Sequence, residues 1–326
     1  MRRDKKISKM KKQSGEFPFV FSHCEDVHTL PRKALDYEVK LHGGFAVDKR
    51  PGHGHIYYGM PGCGLLRVSP DLTSQEIIDL GPNLSSANFH STKIGEFDGK
   101  TRLFMSANDD AMVVVLSLEG DIDFILPKPE FEEYRREGND FHPTDTVLEG
   151  NRLYVADGYG ANYVSIADLG VRRWTKLFGG KTQDVDEHGK FGTAHGMNRT
   201  PLADHLAIAD RPHARLEMCD FDGHFDRSFL LPTGSRPCGI DYVKRADHWY
   251  AAVGSLDDPK EGRPAPIYIL DAETYAVIST IRPKEDLGIE KTDHIHNVVW
   301  HEYEGKLFLI CQSWNPGYYF VLELIG

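Results

Sequence analysis

Short apolar runs of four to eight residues, separated by polar turns, recur along almost the whole chain. HIYYGM, RLFMSA, RLYVADGY, HLAIADRP, HWYAAVG and KLFLICQSW each follow a turn signal such as DGK, EGN, LAD, RAD or YEG. A second run follows each and closes on a polar turn, as in LLRVSPD, MVVVLSLEGD, YVSIADLG, LEMCDFDG and IYILDAET. A third comes next, as in IDFILP, RSFLLP and VISTIRP. Period-two runs of this length, with few long 3.6-period stretches, predict an all-β chain.

The first strand of each unit starts near Gly43, His90, Pro143, His195, Cys238 and His296, at spacings of 47, 53, 52, 43 and 58 residues. These lengths suit four-stranded propeller blades. Six units over residues 43–326 predict a single six-bladed β-propeller domain. The last unit ends one strand short, and Phe17–Phe21 (FPFVF) is the segment expected to complete it. Closure removes the long unpaired sheet edges that promote aggregation. Pro127–Asn139 and Arg282–Asp293 break the pattern as charged excursions, each with room for a helical turn.

Composition narrows the function classes. The formal charge is −11, and seven bases against one acid stand in residues 1–12, which leaves −17 on the rest. Residues 1–16 read as a basic, unstructured arm ahead of a domain over 17–326. An acidic body opposes nucleic-acid binding, which depends on basic surface. No apolar run approaches the ~20 residues of a membrane span. The five cysteines (Cys24, Cys63, Cys219, Cys238, Cys311) lack CxxC spacing, so reduced thiols in a cytoplasmic protein are expected.

In a propeller, the starts of the innermost strands and the loops after the second strands crowd one mouth of the channel. His90, His195 and His296 start the first strands of alternate blades, so a pseudo three-fold axis would converge them on one point. Three neutral imidazoles with an open position are the pattern of a catalytic zinc site, although other divalent transition metals fit the same donors. The loops after strand two offer Tyr159 in blade three and Arg211 in blade four. A phenol beside a metal and a cation is expected to have a lowered pKa and serve as general base. Arg211 could grip a substrate carboxylate. Asp157 and Asp210 precede these residues in matching positions and read as turn aspartates.

PTD at Pro143–Asp145, ADGY at Ala156–Tyr159, AHG at Ala194–Gly196 and ADR at Ala209–Arg211 occur in that order, with His296 after a long blade. Over roughly residues 85–300 the set resembles the catalytic core of peptidyl-α-hydroxyglycine α-amidating lyase, an NHL-type six-bladed propeller. The resemblance implies a zinc on His90, His195 and His296, Tyr159 as base, Arg211 as a pocket cation, and a structural calcium held largely by backbone carbonyls. It also implies cleavage of a C–N or C–O bond in a small hydroxylated or peptide-like substrate bearing an acidic group. The chain departs from that family at Met60 or Pro61, where a second arginine is expected, at Asn297 in place of an aspartate, and at Gly160 in place of a cysteine. His142, His213, His294 and Asn297 lie near the same rim and could back the ligands or carry protons. Other classes stay open: a lactonase-like metal hydrolase, a sugar-acid lyase using Tyr and His, and a non-catalytic NHL-type scaffold that binds protein.

Overall fold

A computed structural model describes residues 12–326. Six four-stranded antiparallel sheets follow one another along the chain, as the spacing predicts. Blade one holds Ala46–Val47, Ile56–Met60, Gly64–Val68 and Gln75–Ile78. Blade two runs from Phe89 to Pro127, blade three from Asp145 to Gly179, blade four from Ala194 to Leu230 and blade five from Pro237 to Ile281. Blade six takes Ile295–Tyr303, Lys306–Ser313 and Tyr318–Leu324, then borrows its outer strand from the N-terminal region.

The closing strand is Phe21–His23, with Phe21 opposite Leu324 and His23 opposite Leu322. It therefore begins where the predicted Phe17–Phe21 strand ends. Phe19 and Phe21 are buried and pack on Trp300 with ring centroids 6.2 Å apart, whereas Phe17 is exposed. FPFVF thus supplies the apolar anchor, and the next residues supply the ladder. Of the predicted arm, residues 1–11 lie outside the described residues. Ser14 pairs with Phe21 through both backbone bonds, and the Glu16 N–H donates to Ser279 Oγ at 2.9 Å.

The core lies between blades. Apolar side chains of the middle strands meet those of the neighbouring blade, as where Ile267 and Ile269 of blade five join Trp300 and Leu309 of blade six. These strands are buried on both faces, which is why they read as continuous apolar runs such as MVVVL. The innermost strands carry buried polar residues instead, and some tie blades together. Asp145 accepts the Met197 N–H at 2.8 Å, and Asp241 accepts the Trp300 N–H at 2.8 Å. The excursion after blade two contains a single 3₁₀ turn, Glu132–Arg135, and the one before blade six contains turns only.

Candidate metal centre at the channel mouth

The innermost strands are irregular at one place. Pairing slips between Phe89 and Ser91, between Ala194 and Met197, between Pro237 and Ile240, and between Ile295 and Asn297. The residues left unpaired are His90, His195 with Gly196, Cys238 with Gly239, and His296. A bulge bends its strand and re-aims a side chain, so each blade can turn one residue toward the axis. Close approach of the next blade makes this possible: a Cβ on Gly196 would lie 1.8 Å from the Cys238 carbonyl oxygen.

In blades one and three the innermost ladder shows no such slip. Thr144, next to Pro143, reaches the mouth through its carbonyl oxygen, 2.6 Å from His90 Nδ1. Ahead of blade one's first strand, His42 stands beside Gly43, whose Cβ position would lie 2.2 Å from the Phe89 carbonyl oxygen. His42 was missed because it comes one residue before the expected start at Gly43. The signal was present, since Leu41-His42-Gly43 parallels Ala194-His195-Gly196.

Four imidazoles gather there. His90, His195 and His296 form a near-equilateral triangle, with ring centroids 4.7, 4.7 and 4.8 Å apart. His42 stands on the far side of the His90–His296 edge, 4.5 Å from His90 and 4.7 Å from His296. Among the described residues, the ligand atoms of His42, His90 and His296 all lie within 4.8 Å of one another. His195 joins through its Nε2, 3.2 Å from His90 Nε2. All four rings are buried.

Their nitrogens suit a cation. The 2.6 Å contact of His90 Nδ1 with the Thr144 carbonyl requires the proton on Nδ1, which leaves the Nε2 lone pair facing the cluster. His42 Nε2, His195 Nδ1 and both nitrogens of His296 are buried without a hydrogen-bond partner. Unsatisfied buried polar atoms cost about 1–3 kcal/mol each, and a metal ion would relieve His42 Nε2 and one nitrogen of His296. Burial holds all four imidazoles below their usual pKa, with Arg211 and the neighbouring rings adding to the effect. His42 is lowered to about 4. The rings are therefore neutral at pH 7, as ligands must be.

Tyr159 and Arg211 reach the same point. The phenol oxygen lies 3.1 Å from His195 Nε2 and 3.3 Å from His90 Nε2, and it accepts from Arg211 Nη1 at 2.9 Å. Tyr159 as a whole is 38% exposed. The lowering expected of this phenol depends on a metal beside it. Burial pushes the phenol up, and Arg211 offsets only part of that. Arg211 is 4% exposed and has no carboxylate partner among the described residues; its Nε and Nη2 donate to Cys238 Sγ at 3.3 and 3.2 Å.

The remaining candidates have other partners. The His142 N–H donates to Asp157 Oδ1 at 2.6 Å, and its Nδ1 meets the Asn108 carbonyl at 3.1 Å. His213 Nδ1 meets Asp210 Oδ2 at 2.7 Å, and His294 Nδ1 meets the Leu256 carbonyl at 2.7 Å. Asn297 Oδ1 accepts the Phe45 N–H at 3.3 Å. Asp157 and Asp210 hold loop backbone, Asp157 through His142 and Ala161 and Asp210 through Gly192 and Thr193. Met60 is fully buried in the apolar layer between blades one and six, so this position brings no cation to the mouth. Trp314, from the last blade's loop, stacks on His42 with centroids 3.9 Å apart.

No family model and no curated protein matches the chain. Solved structures match at the level of fold. The Cps50 (Swd1) β-propeller domain of Myceliophteria thermophila is 10% identical over 88% of this chain and 84% of its own, with a TM-score of 0.54. A streptogramin B lyase structure is 9% identical over 89% of this chain and 95% of its own, with a TM-score of 0.51. BBS1N, solved in complex with ARL6DN, is 10% identical over 85% of this chain and 76% of its own, with a TM-score of 0.52. At such identities the likeness establishes the propeller and nothing finer.

Proposed function

We propose that this propeller is a metal-dependent lyase that cleaves a C–N or C–O bond of a small hydroxylated substrate bearing an acidic group. One observation carries the reading: the triangle of His90, His195 and His296 has Tyr159 Oη against two of its corners and Arg211 against that oxygen. Zinc, or another divalent transition metal, held by these imidazoles would supply Lewis acidity to a substrate oxygen.

The side chains have distinct tasks. Arg211, with a fork of donors in a buried setting, would bind the substrate's carboxylate and fix the reacting carbon near Tyr159. Tyr159 would act as the phenolate, a form that a metal and the Arg211 guanidinium would favour against burial, and its Oη would take the proton of the substrate hydroxyl. The electron pair left on the hydroxyl oxygen forms the carbonyl, the bond to nitrogen or oxygen breaks, and its electron pair leaves with that atom. Tyr159 can then return the proton to the leaving atom and regain its phenolate form. The structural calcium implied by the family resemblance belongs to this reading too, as does the cytoplasmic setting suggested by scattered cysteines without CxxC spacing. Among the described residues no helix is long and apolar enough to cross a membrane.

The decisive experiment pairs elemental analysis of the purified protein with glyoxylate release from an α-hydroxyglycine peptide. Stoichiometric metal with glyoxylate release supports the reading. Metal without glyoxylate removes the amidating reaction and favours the lactonase-like hydrolase, tested on lactones. Absence of metal after purification with divalent ions present favours the scaffold reading. That reading has its own support, since BBS1N is a propeller solved in complex with a protein partner.

A further inference from the structure

We propose that His42 is a fourth metal ligand, so that the centre is built from the imidazoles of blades one, two, four and six. The consequence concerns metal identity. The inference rests on the reading of the cluster as a metal site, but it goes beyond the three-histidine set.

His42 has the attributes of a ligand and lacks those of a satisfied core histidine. It is 7% exposed, and its Nε2 has no hydrogen-bond partner. Its ligand atom lies within 4.8 Å of those of His90 and His296. Its ring plane is fixed by the Trp314 indole stacked on it. Its backbone is fixed as well: the Leu41 carbonyl just before it accepts from the Leu41-facing Gln312 Nε2 at 3.0 Å. The short turn Glu38–Lys40 that leads into it is anchored by Glu38, whose Oε1 accepts the Tyr319 N–H at 3.2 Å. Several elements thus converge to hold a ring whose Nε2 has no hydrogen-bond partner among the described residues.

Ligation through Nε2 requires a proton on Nδ1 and an acceptor for it. Asn88 stands there, with its amide nitrogen 3.3 Å from His42 Nδ1 and its Oδ1 buried and unpartnered. A half-turn of the amide exchanges the two atoms and offers Oδ1 to the Nδ1 proton; amide orientation is set by the network rather than by covalent geometry. The turn would forfeit the bond from Asn88 Nδ2 to Asp109, an exposed residue that can turn to solvent. Metal binding would therefore satisfy two orphaned atoms, His42 Nε2 and Asn88 Oδ1.

Four imidazoles fill the tetrahedral shell that zinc prefers and would leave no position for substrate. A centre with four histidines and a free site needs an ion that accepts five or six ligands. Among ions that suit imidazole, iron(II), cobalt(II) and nickel(II) meet that need better than zinc.

Cobalt(II) is the probe. Chelator-treated wild type, His42→Ala, His42→Gln, His90→Ala and His195→Ala would be titrated with cobalt(II) against a chelating dye while d–d absorption is recorded. Wild type is expected to show the weak bands of a five- or six-coordinate ion rather than the intense bands of a tetrahedral one. His42→Ala and His42→Gln should weaken cobalt affinity by more than the ~10–100-fold typical of residues that only support a ligand, and should change the spectrum. Unchanged affinity and spectrum in both His42 variants, with binding lost in His90→Ala, would overturn the fourth ligand and leave the three-histidine reading intact. If the wild type itself binds no cobalt, both readings fall. Should the alanine variant not fold, by circular dichroism, the glutamine variant, which fills similar space, decides.

Discussion

Lowering the pH should destabilise the metal-free protein, and His42 allows the size of the effect to be worked out. Its pKa is about 4 in the folded chain and returns to the usual 6.5 on unfolding. Above pH 6.5 the ring is neutral in both states and contributes no pH dependence. Below 6.5 the unfolded chain takes up the proton first, so stability falls as pH falls and levels off only near pH 4. At pH 5 the unfolded ring is almost fully charged, whereas about a tenth of the folded rings are. The difference amounts to about 2 kcal/mol from this residue alone. His90, His195 and His296 are shifted in the same direction and add to it. Against a typical total stability of about 5–15 kcal/mol, the metal-free protein should be measurably less stable at pH 5 than at pH 7. The assay is urea unfolding in excess chelator at pH 7, 6 and 5, followed by tryptophan fluorescence, for wild type and His42→Gln. The variant lacks the titrating group and should lose about 2 kcal/mol less than wild type between pH 7 and pH 5. Equal losses in the two proteins, within about 0.5 kcal/mol, would refute the account of His42 as a buried neutral ring.

Three further outcomes follow from the same geometry. Tyr159→Phe should lower kcat by roughly 10²–10⁴-fold while leaving metal content and KM nearly unchanged, read on the confirmed substrate. Arg211→Met should raise KM for the acidic substrate by about 10–100-fold, equivalent to losing a charged hydrogen bond of about 1.5–3 kcal/mol, and should barely affect a substrate whose carboxylate is amidated. Gly196→Ala places a methyl group 1.8 Å from the Cys238 carbonyl oxygen, so it should cost at least about 3 kcal/mol by urea midpoint at constant slope.

The fold was legible because a blade announces itself locally. Strand runs alternate at period two, turns punctuate them, and the unit repeats at a nearly fixed length, so six blades could be counted without any tertiary information. His90, His195 and His296 were legible for a related reason, since equivalent positions of a closed ring must meet at its axis. What stayed hidden depended on packing between blades. The bulges that turn these residues inward arise where one blade's backbone crowds the next, which no single blade's sequence states. Counting from strand starts therefore gave no reason to look at His42, one residue ahead of the start at Gly43. The burial of Tyr159 was hidden on similar grounds: the nearby cation could be inferred from ADR, but the burial that opposes it could not. The closing strand was displaced because FPFVF is apolar enough to read as a strand, while its phenylalanines serve as anchors.

Charge balance at the mouth ties metal and substrate together. Among the described residues, no carboxylate hydrogen-bonds or pairs with the four imidazoles, Tyr159 or Arg211; their partners are Thr144, Asn88, Cys238 and one another. A divalent ion placed there would share a buried, weakly screened site with the Arg211 guanidinium, and each positive group would disfavour the other. Even with Tyr159 between them as the phenolate base, an excess of positive charge remains. A buried excess of this kind is tolerated when an anion joins it, and a substrate carboxylate is the anion Arg211 is shaped to take. Linkage then requires that an acidic ligand raise metal affinity by the same factor that metal raises affinity for the ligand. The coupling should be about 5–150-fold, corresponding to 1–3 kcal/mol. Cobalt(II) titration with and without saturating glyoxylate would measure it, and Arg211→Met should abolish most of it. If the metal binds equally well in the presence and absence of such anions, another group in the site must balance the charge, and the acidic substrate loses its physical basis.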